Sequence, residues 1–88
     1  MTSGNPERAR AAMFEVIENQ LRNNDPPETR KTLERLVGGG RARQEAIRLI
    51  ACVLATELFT VMKSESPYDN ARYIANLRRL PKLPFEED

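Results

Sequence analysis

The carboxylates of the chain are the first residues that could carry out chemistry, and Glu57 is the most suggestive of them. It lies inside an apolar segment, between Ile50 and Val53 when the segment is projected as a helix. A carboxylate buried there could have a raised pKa and act as an acid or a base. Burial of a lone charge is costly, so the position favours an ion pair with an arginine. Four arginines could supply that partner: Arg10, Arg22, Arg72 and Arg78.

Glu15 and Glu18 could meet Glu57 across a helical bundle and form a carboxylate metal site. Bundles that hold metal ions in this way normally add Glu-x-x-His pairs, and the chain contains no histidine. We therefore predict no metal and no other cofactor, and the carboxylate site around Glu57 and Glu18 stays an alternative. Gln20 falls on the apolar side of its helix, which predicts a buried, hydrogen-bonded polar group.

The segment Gly38–Arg43, which reads GGGRAR, could bind an anion. Backbone N–H groups at a helix N-terminus attract phosphate, and two arginines add charge. The residues that would hold the anion are Gly39, Gly40, Arg41 and Arg43. No Gly-Lys-Ser/Thr follows, so the segment does not match the phosphate-loop pattern. The other interpretation is a glycine helix cap with a flexible connection, and the anion site is kept as an alternative.

Helix signals recur four times along the chain, and strand signals are missing. Three of the helix starts pair a capping residue with a proline: Asn5-Pro6, Asp25-Pro26 and Ser66-Pro67. The glycines at 38–40 and Pro81 end helices. The pattern predicts a single all-α domain over residues 1–88, with helices at about 6–23, 26–37, 43–63 and 67–80 and a mobile tail at 81–88.

The third helix is the most apolar element, since Glu45–Met62 reads EAIRLIACVLATELFTVM. A helix this apolar must be contacted on most sides, which predicts a four-helix arrangement with this helix in the centre. Three amphipathic neighbours cover about three sides of it, so Cys52 and Phe59 are expected at an uncovered edge. That edge predicts a protein partner or a homodimer. Its core face is predicted to contain Ile47, Ile50, Ala51, Leu54, Leu58, Val61 and Met62.

Composition excludes several classes of function. The 88 residues carry a net charge of +1, which is no electrostatic footprint for nucleic acid. The helix that would have to read DNA is the one needed for the core. The apolar runs are too short to span a bilayer, the N-terminus lacks a signal-peptide core, and the single cysteine forms no internal disulfide. We predict a cytoplasmic protein with no nucleic-acid or membrane partner.

Several short motifs in combination resemble a family of small bacterial helical proteins of unknown function. The motifs are ENQL at 18–21, DPPET at 25–29, LERL at 33–36, Glu45-Ala46, LIACVL at 49–54 and Glu57. The similarity extends over roughly Glu15–Pro81 and includes a last helix opened by proline. Members of that family place a serine-type cap and one glycine before the third helix, where this chain has GGGRA, so a softer start is expected here. The resemblance implies a bacterial cytosolic protein with no catalytic activity.

No residue pattern in the chain carries a recognisable reaction. We therefore expect the protein not to be an enzyme. The sequence favours a non-catalytic protein-interaction module that could self-associate through the uncovered edge of the third helix.

Overall fold

The computed structural model describes residues 6–86, and all regular secondary structure within that range is helical. The helices are α1 (Pro6–Asn23), α2 (Pro27–Gly38), α3 (Arg43–Ser64) and α4 (Asn70–Arg79). The predicted all-α class is confirmed. Asn5, the expected cap of α1, lies outside the described residues.

Helix α3 lies at the centre of the fold, as the sequence predicts, because it packs against α1, α2 and α4. Helix α2 also contacts the other three helices, so α2 and α3 form an inner pair flanked by α1 and α4. Helix α3 has 22 residues, whereas α2 and α4 have 12 and 10. At about 1.5 Å per residue, α3 is therefore roughly twice as long as either of these neighbours. They cannot cover its whole length.

All four helices and the residue after α4 contribute to one hydrophobic core, and α3 supplies the largest share. Its members are Ile17, Leu21, Leu36, Ala46, Ile47, Ile50, Val53, Leu54, Tyr73, Leu77 and Leu80. The predicted core face of α3 is wrong at Leu58 and Met62, whose exposed fractions are 38% and 77%. These side chains lie about 80° and about 120° around the helix from Ile50. The predicted face was wider than the arc that three neighbouring helices cover.

The predicted cap of α2 and the predicted start of α4 are both wrong. Pro26, with φ −75° and ψ 153°, occupies the cap position of α2, and no side chain caps this helix. Because Pro27 disfavours helical geometry in the residue before it, α2 begins at Pro27, too late for Asp25 to cap it. Helix α4 begins at Asn70, three residues later than predicted, and Asp69 caps it in place of Ser66.

Arg35 of α2 fixes the C-terminal end of α4. Its Nη1 donates to the backbone oxygen of Leu80 at 2.6 Å, and its Nη2 donates to that of Leu77 at 3.0 Å. Carbonyls at a helix C-terminus lack intrahelical partners, so the guanidinium replaces water there. After the helix, Leu83 packs against the core, while the side chain of Phe85 is 64% exposed. The mobility of residues 81–88 stays a prediction.

Candidate functional site

The side of α3 that points away from the core carries a line of apolar residues, which we call the outward face. It consists of Cys52, Ala55, Phe59 and Met62, at successive spacings of three, four and three residues. Phe59 is 61% exposed and Met62 is 77% exposed, whereas Cys52 is half-buried. Spacing of this kind keeps side chains on one side of a helix and is typical of the contact line between paired helices.

A groove between α1 and α3 adjoins the outward face. Its volume is about 540 Å³. The small side chains Ala51, Cys52 and Ala55 form its α3 wall, so the groove lies beside the half of the outward face that has no large side chain. The remaining lining residues are Arg10, Met13, Phe14 and Arg48. The apolar surface therefore has two parts. One is the groove beside Cys52 and Ala55, with arginines among its lining residues, and the other is the pair of exposed side chains Phe59 and Met62.

The structure places Cys52 and Phe59, the two residues expected at the uncovered edge, on this one face. Sequence reasoning missed its other members, Ala55 and Met62, and the adjoining groove. The spacing of the four residues could have identified the outward face from the sequence. The core face lies on the opposite side of α3, so the core does not account for a line of apolar residues here. Leu58, 38% exposed, lies beside the face and adds to the apolar surface.

Glu57 is 1% exposed and forms an ion pair with Arg72 of α4. The Nε of Arg72 donates to Oε1 at 2.8 Å, its Nη2 donates to Oε2 at 2.7 Å, and the backbone N–H of Asp69 donates to Oε2 at 3.0 Å. The hydrogen bonds from Arg72 lower the pKa of Glu57, although burial acts in the opposite direction. The raised pKa that acid–base chemistry would need is therefore not present. The pair joins α3 to the start of α4.

Glu18 of α1 pairs with Arg43, the first residue of α3, at the opposite end of that helix from Glu57. Two nitrogens of Arg43 donate to its two carboxylate oxygens at 3.2 Å each, and this hydrogen bonding lowers the pKa of Glu18. Its side chain is 42% exposed, so Glu18 is not a buried polar group. Arg43 and Glu57 are 14 residues apart along α3, or about 21 Å. The structure does not bring Glu18 and Glu57 together as a carboxylate site.

The triple glycine ends α2, and its N–H groups are used for that purpose. Gly39 donates to the backbone oxygens of Arg35 and Leu36, Gly40 to that of Val37, and Arg41 to that of Leu36. The positive φ of 107° at Gly40 is a conformation that glycine adopts readily. Arg43 is paired with Glu18, and the Nε of Arg41 lies 3.9 Å from Oε2 of Glu45. Anion binding at this segment stays a prediction, with the backbone donors of Gly39, Gly40 and Arg41 already engaged.

Gln20 belongs to a polar network between three helices. Its Oε1 accepts a hydrogen bond from Thr29 Oγ1 at 2.8 Å and from the hydroxyl of Tyr73 at 3.0 Å. Thr29 and Tyr73 are both fully buried. Burial raises the pKa of Tyr73 to about 12, so the phenol stays protonated and donates. The network connects α1, α2 and α4. We assign this network a structural role.

Searches against protein-family models, curated proteins and solved structures find no match to this chain. Among residues 6–86, no group of three or more acidic, cysteine or histidine side chains is placed to hold a metal ion. Within the same part of the chain, no helix has both the length and the apolar character to cross a membrane.

Proposed function

We propose that the chain is a bacterial, cytoplasmic, non-catalytic interaction module that uses the outward face of α3 to bind a helix of a protein partner. The observation that carries this proposal is the exposure of Phe59 and Met62 at helix-pairing spacing on the most apolar helix of the fold. Single exposed apolar residues are ordinary, but a contiguous apolar patch beside a groove is typical of an interaction surface.

The state of the carboxylates supports a non-catalytic role. Glu57 and Glu18 are each held ionised by an arginine, in separate parts of the fold. A general acid or base works best when its pKa is close to the working pH, and both of these pKa values are shifted the other way. The chemistry available to the outward face is the burial of apolar surface, which drives most protein association.

A photo-activated cross-linking amino acid at position 59 tests the proposal in the cells that carry the gene. Phe85 provides the matched control, because it is an aromatic residue with nearly the same exposed fraction, 64% against 61%, and lies outside the outward face. We expect a discrete adduct from position 59 and none from position 85. An adduct of about 20 kDa, twice the 10.0 kDa of the chain, would identify a second copy if all its peptides come from this chain. Equal labelling at both positions, or none at position 59, would contradict the proposal.

A further inference from the structure

We infer that the partner helix is α3 of a second copy of this chain, and that the two α3 helices pair in antiparallel directions. This inference rests on the proposed function, for which it names the partner. It is argued from the distribution of side-chain size and charge along the outward face and the groove beside it.

The outward face is divided by size: Cys52 and Ala55 are small, whereas Phe59 and Met62 are large. In an antiparallel pair with its two-fold axis level with residue 57, Ala55 faces Phe59 of the second copy. The same axis sets Cys52 opposite Met62 of the second copy. Every large side chain then faces a small one, and the two-fold symmetry repeats each contact. A parallel pair would instead place Phe59 against Phe59 and leave the small residues facing each other.

The groove gives the large side chains a place to pack. It lies beside Cys52 and Ala55, at the level where this axis places Phe59 and Met62 of the second copy. Each copy therefore supplies both a hollow and the side chains that fill it, which is the requirement for a closed two-fold interface. The Nζ of Lys63 lies 5.7 Å from the ring centre of Phe59, so the lysine side chain must move aside where the ring enters the groove.

The charges at the ends of the face agree with the same alignment. Arg48, which lines the groove, is level with Ser66 of the second copy, next to Glu65, just beyond the end of α3. Arg48 and Glu65 carry opposite charges, and the symmetry produces the pairing twice. Opposite charges at the rim of an interface favour one orientation over another, although they add little affinity. In a parallel pair, Arg48 would face Arg48.

The exposed area indicates a weak dimer. With about 200 Å² for each large side chain, the open surface of Leu58, Phe59 and Met62 is on the order of 350 Å² per copy. The groove walls add to this area, but the total stays below the roughly 800 Å² per partner found in stable interfaces. We expect a dissociation constant in the micromolar range, so that the dimer forms at concentrations of about 100 μM.

Cysteine cross-linking of the purified full chain tests the direction of the helices. The native chain provides Cys52 alone, Met62→Cys adds a second thiol, and Cys52→Ser/Met62→Cys keeps only the new one. In the antiparallel pair, residues 52 and 62 of different copies face each other, whereas two equivalent residues are about 15 Å apart along the axis. A disulfide needs Cα atoms within about 7 Å. We therefore expect Met62→Cys to form covalent dimers at least tenfold faster than the other two proteins.

Mass spectrometry of the cross-linked peptides, with sedimentation of the unmodified protein at about 100 μM, completes the test. A peptide that joins residues 52 and 62 supports the inference. Preferential 52–52 or 62–62 linkage would overturn the antiparallel direction, and so would a dimer without 52–62 linkage. A monomer throughout would overturn self-pairing. An adduct from position 59 to a different protein would then leave the proposed function standing, whereas its absence would remove both.

Discussion

Replacing Gln20 by leucine isolates the contribution of the buried polar network to the fold. In the native protein, one amide oxygen accepts hydrogen bonds from Thr29 and Tyr73. The leucine substitution keeps most of the side-chain volume and removes this acceptor. Thr29 and Tyr73 are fully buried, and the hydroxyls of both lose their acceptor in this variant. Tyr73→Phe is the matched comparison, because it removes one donor and leaves Gln20 hydrogen-bonded to Thr29.

The two substitutions differ in what they leave behind. Tyr73→Phe loses one hydrogen bond without stranding a buried donor, so the free energy of unfolding should fall by about 1 kcal/mol. Gln20→Leu leaves two buried hydroxyls, of which one can donate to the other, and so at least one donor has no acceptor. We expect a loss of about 2 to 3 kcal/mol. The triple variant Gln20→Leu/Thr29→Val/Tyr73→Phe contains no stranded group and should recover to within about 1 kcal/mol of the native protein.

Urea unfolding followed by circular dichroism measures these differences directly. With an m-value of about 1 kcal/mol/M for a chain of this size, Gln20→Leu should lower the midpoint by about 2 to 3 M and Tyr73→Phe by about 1 M. The reasoning is refuted if the two single variants lose the same stability, or if the triple variant is as unstable as the sum of its parts. Either result would mean that loss of the Gln20 acceptor does not leave a buried donor without a partner.

Further variants test the ion pair, the glycine cap and the helix start. Because the pKa of Glu57 is lowered by folding, its carboxylate stabilises the protein above its ordinary pKa of 4.5, and this contribution is lost as the pH falls. The stability difference between the native protein and Glu57→Gln should therefore be largest at neutral pH and shrink below about pH 4.5; a constant difference in urea titrations would contradict this. Gly40→Ala should cost about 1 kcal/mol because of its positive φ, whereas Gly38→Ala, in helical conformation with open space around it, should stabilise by up to about 1 kcal/mol in thermal unfolding; equal effects would argue against the cap. Asp69→Ala should cost about 1 kcal/mol as the loss of a helix cap, and Asp25→Ala should have little effect on the urea midpoint. A larger loss of stability from Asp25→Ala than from Asp69→Ala would instead support Asp25 as the cap of α2.

Much of the fold could be predicted because its signals are local. Proline and glycine mark the ends of the helices, and the apolar character of α3 fixes it at the centre. The start of α4 was missed because Ser66 and Asp69 are both good caps, and the sequence does not show which one is used. The structure favours Asp69, whose backbone N–H bonds the distant carboxylate of Glu57. The choice depends on a tertiary contact.

The candidate site was only half predictable for the same reason. A helical projection identified Cys52 and Phe59, but it does not reveal how wide an arc the neighbouring helices cover. Leu58 and Met62 were therefore placed in the core, although they are exposed. The groove beside Cys52 forms between α1 and α3, which are distant in sequence, so no local sequence pattern predicts it.

Sedimentation equilibrium of the native protein, Phe59→Asp and Phe85→Asp at about 100 μM tests the central claim most directly. Both substitutions place a carboxylate at an aromatic position of similar exposure, but only Phe59 lies on the outward face of α3. If this face joins two copies, the native protein and Phe85→Asp have a mass approaching twice 10.0 kDa, and Phe59→Asp is a monomer. A monomeric native protein, or a dimer that Phe59→Asp leaves intact, would contradict the account.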